Sequence, residues 1–456
     1  MNINDIYDRI INLEEQVKVL KKTVSSLKKE NKKLKEDLIK CQTSKNSRNS
    51  SIPPSKDENR PKRNQSLRKP SGKKPGGQKG HKGMNLKPFD NPDEIIKLTS
   101  DYCTHCGNSL FDIIGIKKGT RQIIDIPEIK PIYKEFQVFS KTCSCGKTTV
   151  PDFPKNVNTP ISYGENIQGL IAFFHARHYI PFHRMKKIFN NVFKINISEG
   201  GLHYLLNKFA SKAQSTYEKI KNKVQLSDVI GSDETGAKVN GDNHWFWTWQ
   251  TDKLTFIAHS EKRGSIAINE NFPNGFPNAT LVHDGWKPQV NTTAKYHQLC
   301  LAHLQRDLKY LNQLYPQNKW GHSFLTLLYD SLNVKRNMNN QNYYDKYLPK
   351  INIYKRLEQL LTKPPPLIYK KLLTFYNRMS RDQKHLFTFL EIPNVPPDNN
   401  ASERAIRNIK VKQKISGQFK STSAAHNFAI IRSVIDTILK NNLSVLNGLA
   451  TIAKFA

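Results

Sequence analysis

The chain's 456 residues leave room for two to four domains with at least one sizeable core. With 72 Lys and Arg against 38 Asp and Glu, the formal charge is +34, an excess that points to a polyanionic partner, nucleic acid being the commonest. No run of apolar residues is long enough to span a bilayer and the N-terminal region is charged throughout, so neither a membrane helix nor a secretory leader is expected. Six cysteines are too few for a disulfide scaffold, and four of them fall in two tight pairs, the pattern of metal ligation in an intracellular chain.

Residues 1–42 carry a heptad. Ile6, Leu13, Leu20, Leu27 and Leu34 occupy one repeat position, and Ile10, Val17, Val24, Asn31 and Leu38 the other. Leu at d with mostly β-branched residues at a predicts a parallel two-stranded coil, and Asn31 at an a position trades stability for register. Charges flanking the seam agree, since Arg9 would meet Glu14, and Glu30 would meet Lys35, of a partner helix. A homodimer or a higher even-numbered assembly is expected; the alternative is a helix packed on its own protein.

Residues 43–95 change character to Ser, Pro, Gly, Lys and Arg. Within 41–90 there are 13 Lys and Arg and 3 Asp and Glu, a net of 13 − 3 = +10. Such a segment cannot bury enough surface to fold alone. It reads as a solvated linker, and its basic density, including Lys73, Lys74, Lys79 and Lys82, as an arm that tracks DNA through counterion release.

Residues 96–155 hold "CTHCGNSL" and "KTCSCGKT". Cys103 and Cys106 are spaced as half of a structural zinc site, with Cys143 and Cys145 as the other half; a glycine follows the second Cys of each pair, as a tight metal-binding turn requires. His105 is a substitute ligand inside the first turn. The stretch between the pairs reads as one or two strands, so a small zinc ribbon is expected. Residues 156–226 are helical in pattern, with Ser198 as a cap and Leu202, Leu205 and Leu206 on a buried face. A helix-turn-helix DNA reader and ordinary helical packing fit this region equally.

From 227 the pattern turns to strands. A short apolar run leads to Asp233; "HWFWTWQT" places Trp245, Trp247 and Trp249 on one face; "KLTFIAHS" completes an antiparallel meander; and "NATLVHDGW" ends at Asp284. A helical insertion is expected over about 310–390, then "DNNASERAIRNIKVKQK", then a tail at 441–456. Two aspartates at the ends of neighbouring strands and a glutamate on a later helix can converge, as two-metal phosphoryl chemistry requires. Locally, however, Glu403 equally suits a reciprocal helix cap with Asn400 or an ion pair with Arg407, Asp233 has Glu234 beside it, and Trp286 either stacks on a base or simply packs.

These pieces, in this order, resemble the insertion-sequence sixty-six type of transposase of the DDE superfamily. The resemblance rests on the zipper, "NSSIPPSKD", "KPGGQKGHKG", "RQIIDIPEIKP", "YGENIQGLIAFFHARHYIPFHR", "DETGAKVNGDNHWFWTW", "HDGW", "CLAHLQRDL" and "DNNASERAIRNIKV". The second cysteine pair departs from it, being C-x-C where C-x-x-C is usual. The resemblance implies a multidomain α+β chain: coiled coil, small zinc-binding domain, helical DNA-binding region, and a ribonuclease-H-like catalytic core over 227–440. It implies Asp233, Asp284 and Glu403 as ligands of two Mg²⁺ or Mn²⁺ ions, with a structural Zn²⁺ on the four cysteines. Arg404, Arg407, Lys410, Lys412 and Lys414 would hold DNA phosphates, while Cys300 and His303 support the core without forming a catalytic metal site. The expected activity is cleavage and strand transfer at the element's ends, in the bacterial cytoplasm at the nucleoid, with DNA and companion proteins of the same element as partners. A nuclease without strand transfer, or a DNA-binding regulator with an inactive core, are the alternatives.

Overall fold

Asn240 and Gly241, at φ 46° and 90°, form the two-residue turn that reverses strand direction with the twist a hairpin needs. The computed structural model describes residues 3–42, 80, 87–154, 157, 159–344 and 346–455; Lys73, Lys74, Lys79 and Lys82 lie outside the described residues. Two compact units divide the chain: Met1–Pro61 with Lys134–Asn191 and Ile195–Ala456, and Lys62–Tyr133 with Val192–Lys194. Their boundary falls inside the expected zinc ribbon.

In the smaller unit, a bridge between Tyr102 and Ser109 closes the turn that carries Cys103 and Cys106. The Gln122 carboxamide donates to the Phe89 carbonyl and accepts from its N–H. The strands expected between the cysteine pairs do not form. Ile123, Ile124, Ile126 and Ile132 are exposed, and only Lys141–Thr142 (β1) of that stretch, in the larger unit, pairs with a strand, Thr148–Thr149 (β2). The composition suits a strand, but among the described residues it pairs with no edge.

The larger unit begins with α1 (Ile3–Gln42), a single 40-residue helix. Helix α2 (Glu165–Ala172) runs into a π-helical turn at Phe173–Arg177, followed by α3 (Phe182–Asn191) and α4 (Glu199–Gln225). Ser198 Oγ accepts the Gly201 N–H at 3.0 Å and caps α4, whose Leu202, Leu205, Leu206 and Phe209 are buried.

Strands β3 (Val229–Val239), β4 (Asp242–Gln250) and β5 (Thr255–Ser260) form the expected antiparallel meander. Helix α5 (Ser265–Asn271) leads to β6 (Phe276–His283), and α6 (Lys287–Val290) to β7 (Ala294–Leu299). Both later strands run parallel on the other side of β3, giving the order β5-β4-β3-β6-β7. Helix α7 (Leu301–Leu314) opens the helical insertion, which continues through α8 (Lys319–Asn337), α9 (Leu348–Thr362), α10 (Lys370–Arg381) and the short α11 (Thr388–Glu391) around Leu308, Phe324, Leu328 and Phe375.

Helices α12 (Asn400–Ser416) and α13 (Thr422–Lys440) cover one face of the sheet, where Phe246, Phe419 and Phe428 meet in succession. The segment expected as a tail is a helix, α14 (Val445–Phe455), which buries Val445, Leu449 and Ala453 and packs on α2. Helix α4 packs on α13 and β5, and Tyr217 Oη donates to the Ile257 carbonyl at 2.9 Å. The helices of 156–226 therefore belong to the same compact unit as the sheet, and ordinary packing accounts for the buried face of α4. No helix among the described residues is long and apolar enough to cross a membrane.

Candidate active site

Strand pairing sets the two aspartates near one another. Gly231 of β3 lies opposite Val282 of β6 in the last parallel pair, and Asp233 and Asp284 each follow that pair by two residues. The parallel pairing ends at Gly231, although β3 itself continues along β4 to Val239. Asp233 thus lies within β3, two residues past its parallel pairing, while Asp284 follows the last residue of β6. On the far side, His283 lies opposite Leu299 and accepts the Cys300 N–H at 2.7 Å, which puts Cys300 level with Asp284.

Residues two apart on a strand share a face, so Gly231 and Asp233 look toward α12. A Cβ at Gly231 would come 2.6 Å from Ser402 Oγ and 2.8 Å from both Asn399 Oδ1 and Gln250 Nε2. Glycine is what lets the first turn of α12 rest on the sheet. Asn399 fastens it there: Nδ2 donates to the Ser232 carbonyl at 2.7 Å, Oδ1 accepts from Ser402 Oγ at 2.6 Å, and the backbone N–H donates to Cys300 Sγ at 3.2 Å.

Glu403 is not a cap. Asn399 occupies the N-cap position, and the Glu403 carboxylate turns instead to α7, where Oε1 accepts from Arg306 Nη2 at 3.0 Å with His303 Nε2 at 3.6 Å. Arg306 is itself fixed by Nε donation to the Ala302 carbonyl at 3.1 Å. The ion pair expected with Arg407 gives way to this one.

The acids act on one another. Burial, foremost, and then the charges of Asp284, Glu234 and Glu403 push the Asp233 carboxyl well above the usual range, against the pull of the Glu234 N–H donated to its Oδ1 at 2.9 Å. Burial also raises Glu234, which Arg263 offsets by donating to Oε1 at 2.7 Å. Asp284 Oδ1 accepts the Trp286 N–H at 3.1 Å. Asp233 and Asp284 together offer an all-oxygen donor set, the kind a hard divalent cation requires, whereas Glu234 is engaged by Arg263.

Among the described residues, one group of three ligand-type side chains closes within 4.8 Å: Cys300, His303 and Glu403. Its chemistry argues for a structural role. Burial pushes the Cys300 thiol up to about 11, and its sulfur already receives the Asn399 N–H. Burial, followed by the Arg306 charge, lowers His303 and favours neutral imidazole.

On α12, Arg404, Arg407 and Lys414 are exposed. Lys410 donates its ammonium to the Gly236 carbonyl. Lys412 is a correction to the expected phosphate-binding set: it is buried, its Nζ lies 3.1 Å from His175 Nε2, and burial lowers it to about 8. It continues the inward stripe of Ser402, Ala405 and Ile409, at helical spacing. Trp286 packs, stacking on Trp247 at 5.9 Å between centroids.

Each cysteine pair sits in a tight turn closed by the glycine that follows it, five residues long at Cys103–Gly107 and four at Cys143–Gly146. The Gly107 N–H donates to the Cys103 carbonyl and the Gly146 N–H to the Cys143 carbonyl, both at 2.9 Å, with positive φ at both glycines. Backbone N–H groups of each turn, chiefly those of Cys106 and Cys145, lower the first thiol of each pair. Sequence reasoning missed Gly231, Arg263, Arg306 and Asn399 as site-building residues. Arg306 alone had a local signal, three residues after His303 on a helix leaving the sheet.

A mixed sheet presenting acids beside an exposed basic helix defines a nucleic-acid-processing class of protein. The model of the Transposase IS66 family matches residues 160–427, more than half of the chain, and the chain belongs to that family. A transposase binds DNA and cleaves nucleic acid. A model of a family of unknown function matches residues 3–87. No curated protein matches the chain.

Proposed function

We propose that this transposase cleaves DNA at the ends of its element and joins them to target DNA, using Asp233, Asp284 and Glu403 on a ribonuclease-H-like core. The observation that carries the reading is the register that puts Asp233 and Asp284 each two residues past the last parallel pair of β3 and β6, beneath the start of α12. The three carboxylates would hold two Mg²⁺ or Mn²⁺ ions, which when bound supply an activated oxygen nucleophile and charge neutralisation at the leaving oxygen. Asp233 and Asp284 present fixed oxygens, their strands set by the sheet. Glu403 is aimed by Arg306, and the Asn399 bonds keep α12 from sliding. Arg404, Arg407 and Lys414 hold phosphates along the helix, assisted by the basic arm.

The cysteine turns are read as zinc-binding thiolate turns, and α1 as half of a parallel coil joining two protomers so that two active sites meet two element ends. These readings rest on the paired glycine turns and on the exposed a and d stripe of α1.

The test is a supercoiled plasmid carrying the element, incubated with purified full-length protein and Mg²⁺, then with pre-cut ends and a target plasmid. Cleavage and joined products are expected from the wild type, and neither from Asp233→Asn. Cleavage without joining would establish the nuclease alternative, and DNA binding without cleavage the regulator.

A further inference from the structure

Arg263 sits on the opposite side of Asp233 from α12. Its guanidinium carbon lies 4.5 Å from the Trp245 ring centroid and 4.2 Å from that of Trp286, so two indoles hold it. From this slot Nη2 reaches Glu234 Oε1 at 2.7 Å. The next residue, Gly264, has φ 98° and ψ −151°, a conformation open essentially to glycine alone, and it places the turn after β5 against Trp286 and Pro288. Three elements thus combine to fix one guanidinium: β4 through Trp245, the loop after β6 through Trp286, and the glycine turn through Arg263 itself.

Glu234 needs that guanidinium. Its side chain is only 7% exposed, and Oε2 is buried with no hydrogen-bond partner, so Arg263 is the one ion-pair partner found for it among the described residues. An unpaired carboxylate here would face the Asp233 and Asp284 charges from the neighbouring position on β3. A buried charge stripped of its partner is strongly destabilising, whereas removing both members together is tolerated.

We propose that Arg263 is a positioning residue of the active site, holding the Glu234 carboxylate against Trp245 and Trp286 so that it does not turn toward Asp233 and Asp284 and draw divalent cation out of their site. The two indoles keep the guanidinium from swinging into solvent, where an arginine that is 46% exposed would otherwise spend much of its time. This rests on the metal-dependent reading of Asp233 and Asp284 given above.

The test uses full-length protein, Mn²⁺ and the element-bearing plasmid, and compares wild type, Arg263→Gln, Glu234→Gln and the double variant. Arg263→Gln should slow cleavage by about 30-fold or more without raising the half-saturating Mn²⁺ concentration, because the freed carboxylate attracts cation but holds it out of place. Glu234→Gln should stay within about threefold of wild type, and the double variant should recover most of the rate, because the carboxylate that would misplace the cation is gone. Arg263→Gln cleaving like wild type, or a folded double variant no better than Arg263→Gln, overturns the proposal. Absence of Mn²⁺-dependent cleavage by the wild type overturns the reading it rests on instead.

Discussion

Arg306 Nη2 meets Glu403 Oε1 at 3.0 Å, joining the helix that leaves the sheet to a helix 97 residues further along the chain. Because the carboxylate serves this contact and not a helix cap, Glu403→Gln separates chemistry from architecture. Both side chains of the pair are about a quarter exposed, so the loss of charge should cost no more than about 1 kcal/mol. Thermal unfolding and end binding should remain near wild type while cleavage and strand transfer disappear, since an amide is a poor ligand for a hard cation. Wild-type cleavage by this variant in Mg²⁺ would remove Glu403 from the active site.

Asp233→Asn should be more stable than wild type at pH 7 in the presence of a chelator. The folded-state pKa of Asp233 is raised by burial and by Asp284, so between the ordinary aspartate value and the raised one the folded state binds more protons than the unfolded. Stability then falls as pH rises through that window. The variant escapes the penalty, and its advantage should vanish as pH drops below the ordinary aspartate value. Mg²⁺ should stabilise the wild type and do less for the variant. Equal denaturation midpoints for the two proteins at pH 7 and at pH 3.5 would contradict this. Combined with Glu403→Gln, the loss of activity should not add.

Much of this was legible from local pattern. The heptad, the Ser198 cap and the meander depend on neighbours within a few residues, and all three segments have the expected secondary structure. The placement of Asp233 and Asp284 depends on parallel pairing between strands separated by two others and a helix, which no local period encodes. Arg263 and Arg306 were hidden for the same reason, because their partners are distant in sequence. Lys412 was different: it continues the buried spacing of Ala405 and Ile409, and charge alone suggested an outward role. The isoleucines of 123–132 have strand composition, but a strand needs an edge to join.

Lys412→Met should leave DNA affinity and its salt dependence unchanged, while Arg407→Ala lowers the salt slope by about one. Burial takes the Lys412 pKa down to about 8, so between there and the ordinary lysine value the unfolded state binds more protons. Wild-type stability should therefore gain on the variant as pH rises through that window, by at most about 3 kcal/mol. Denaturant titrations at pH 7.5 and 10 check the sign. A weaker salt slope in Lys412→Met would return this residue to the DNA-binding set.

The α1 stripe predicts self-association. Ile10, Leu13, Val17, Leu20, Val24, Leu27, Leu34 and Leu38 are all exposed in the single chain, more apolar surface than one solvated helix carries stably. Residues 1–42 should sediment as a dimer at tens of micromolar, and Asn31→Val should raise the melting temperature while admitting trimers or shifted registers. A monomer at that concentration would rule the coil out.

Gly231→Ala tests how the site is assembled. The added methyl would lie 2.6 Å from Ser402 Oγ and 2.8 Å from Asn399 Oδ1, so the start of α12 must lift from β3, at a cost of about 1–3 kcal/mol. Because Glu403 follows Ser402 directly, lifting that turn carries its carboxylate away from Asp233 and Asp284. Cleavage should fall by about 100-fold, far more than the loss of folded protein explains, since small misplacements are costly to catalysis. Gly236→Ala on the same strand is the control: its methyl would come no closer than an ordinary 3.4 Å, to the Trp245 ring, and should change cleavage little. If both alanine variants cleave alike, the close seat of α12 on β3 is not what sets the position of Glu403.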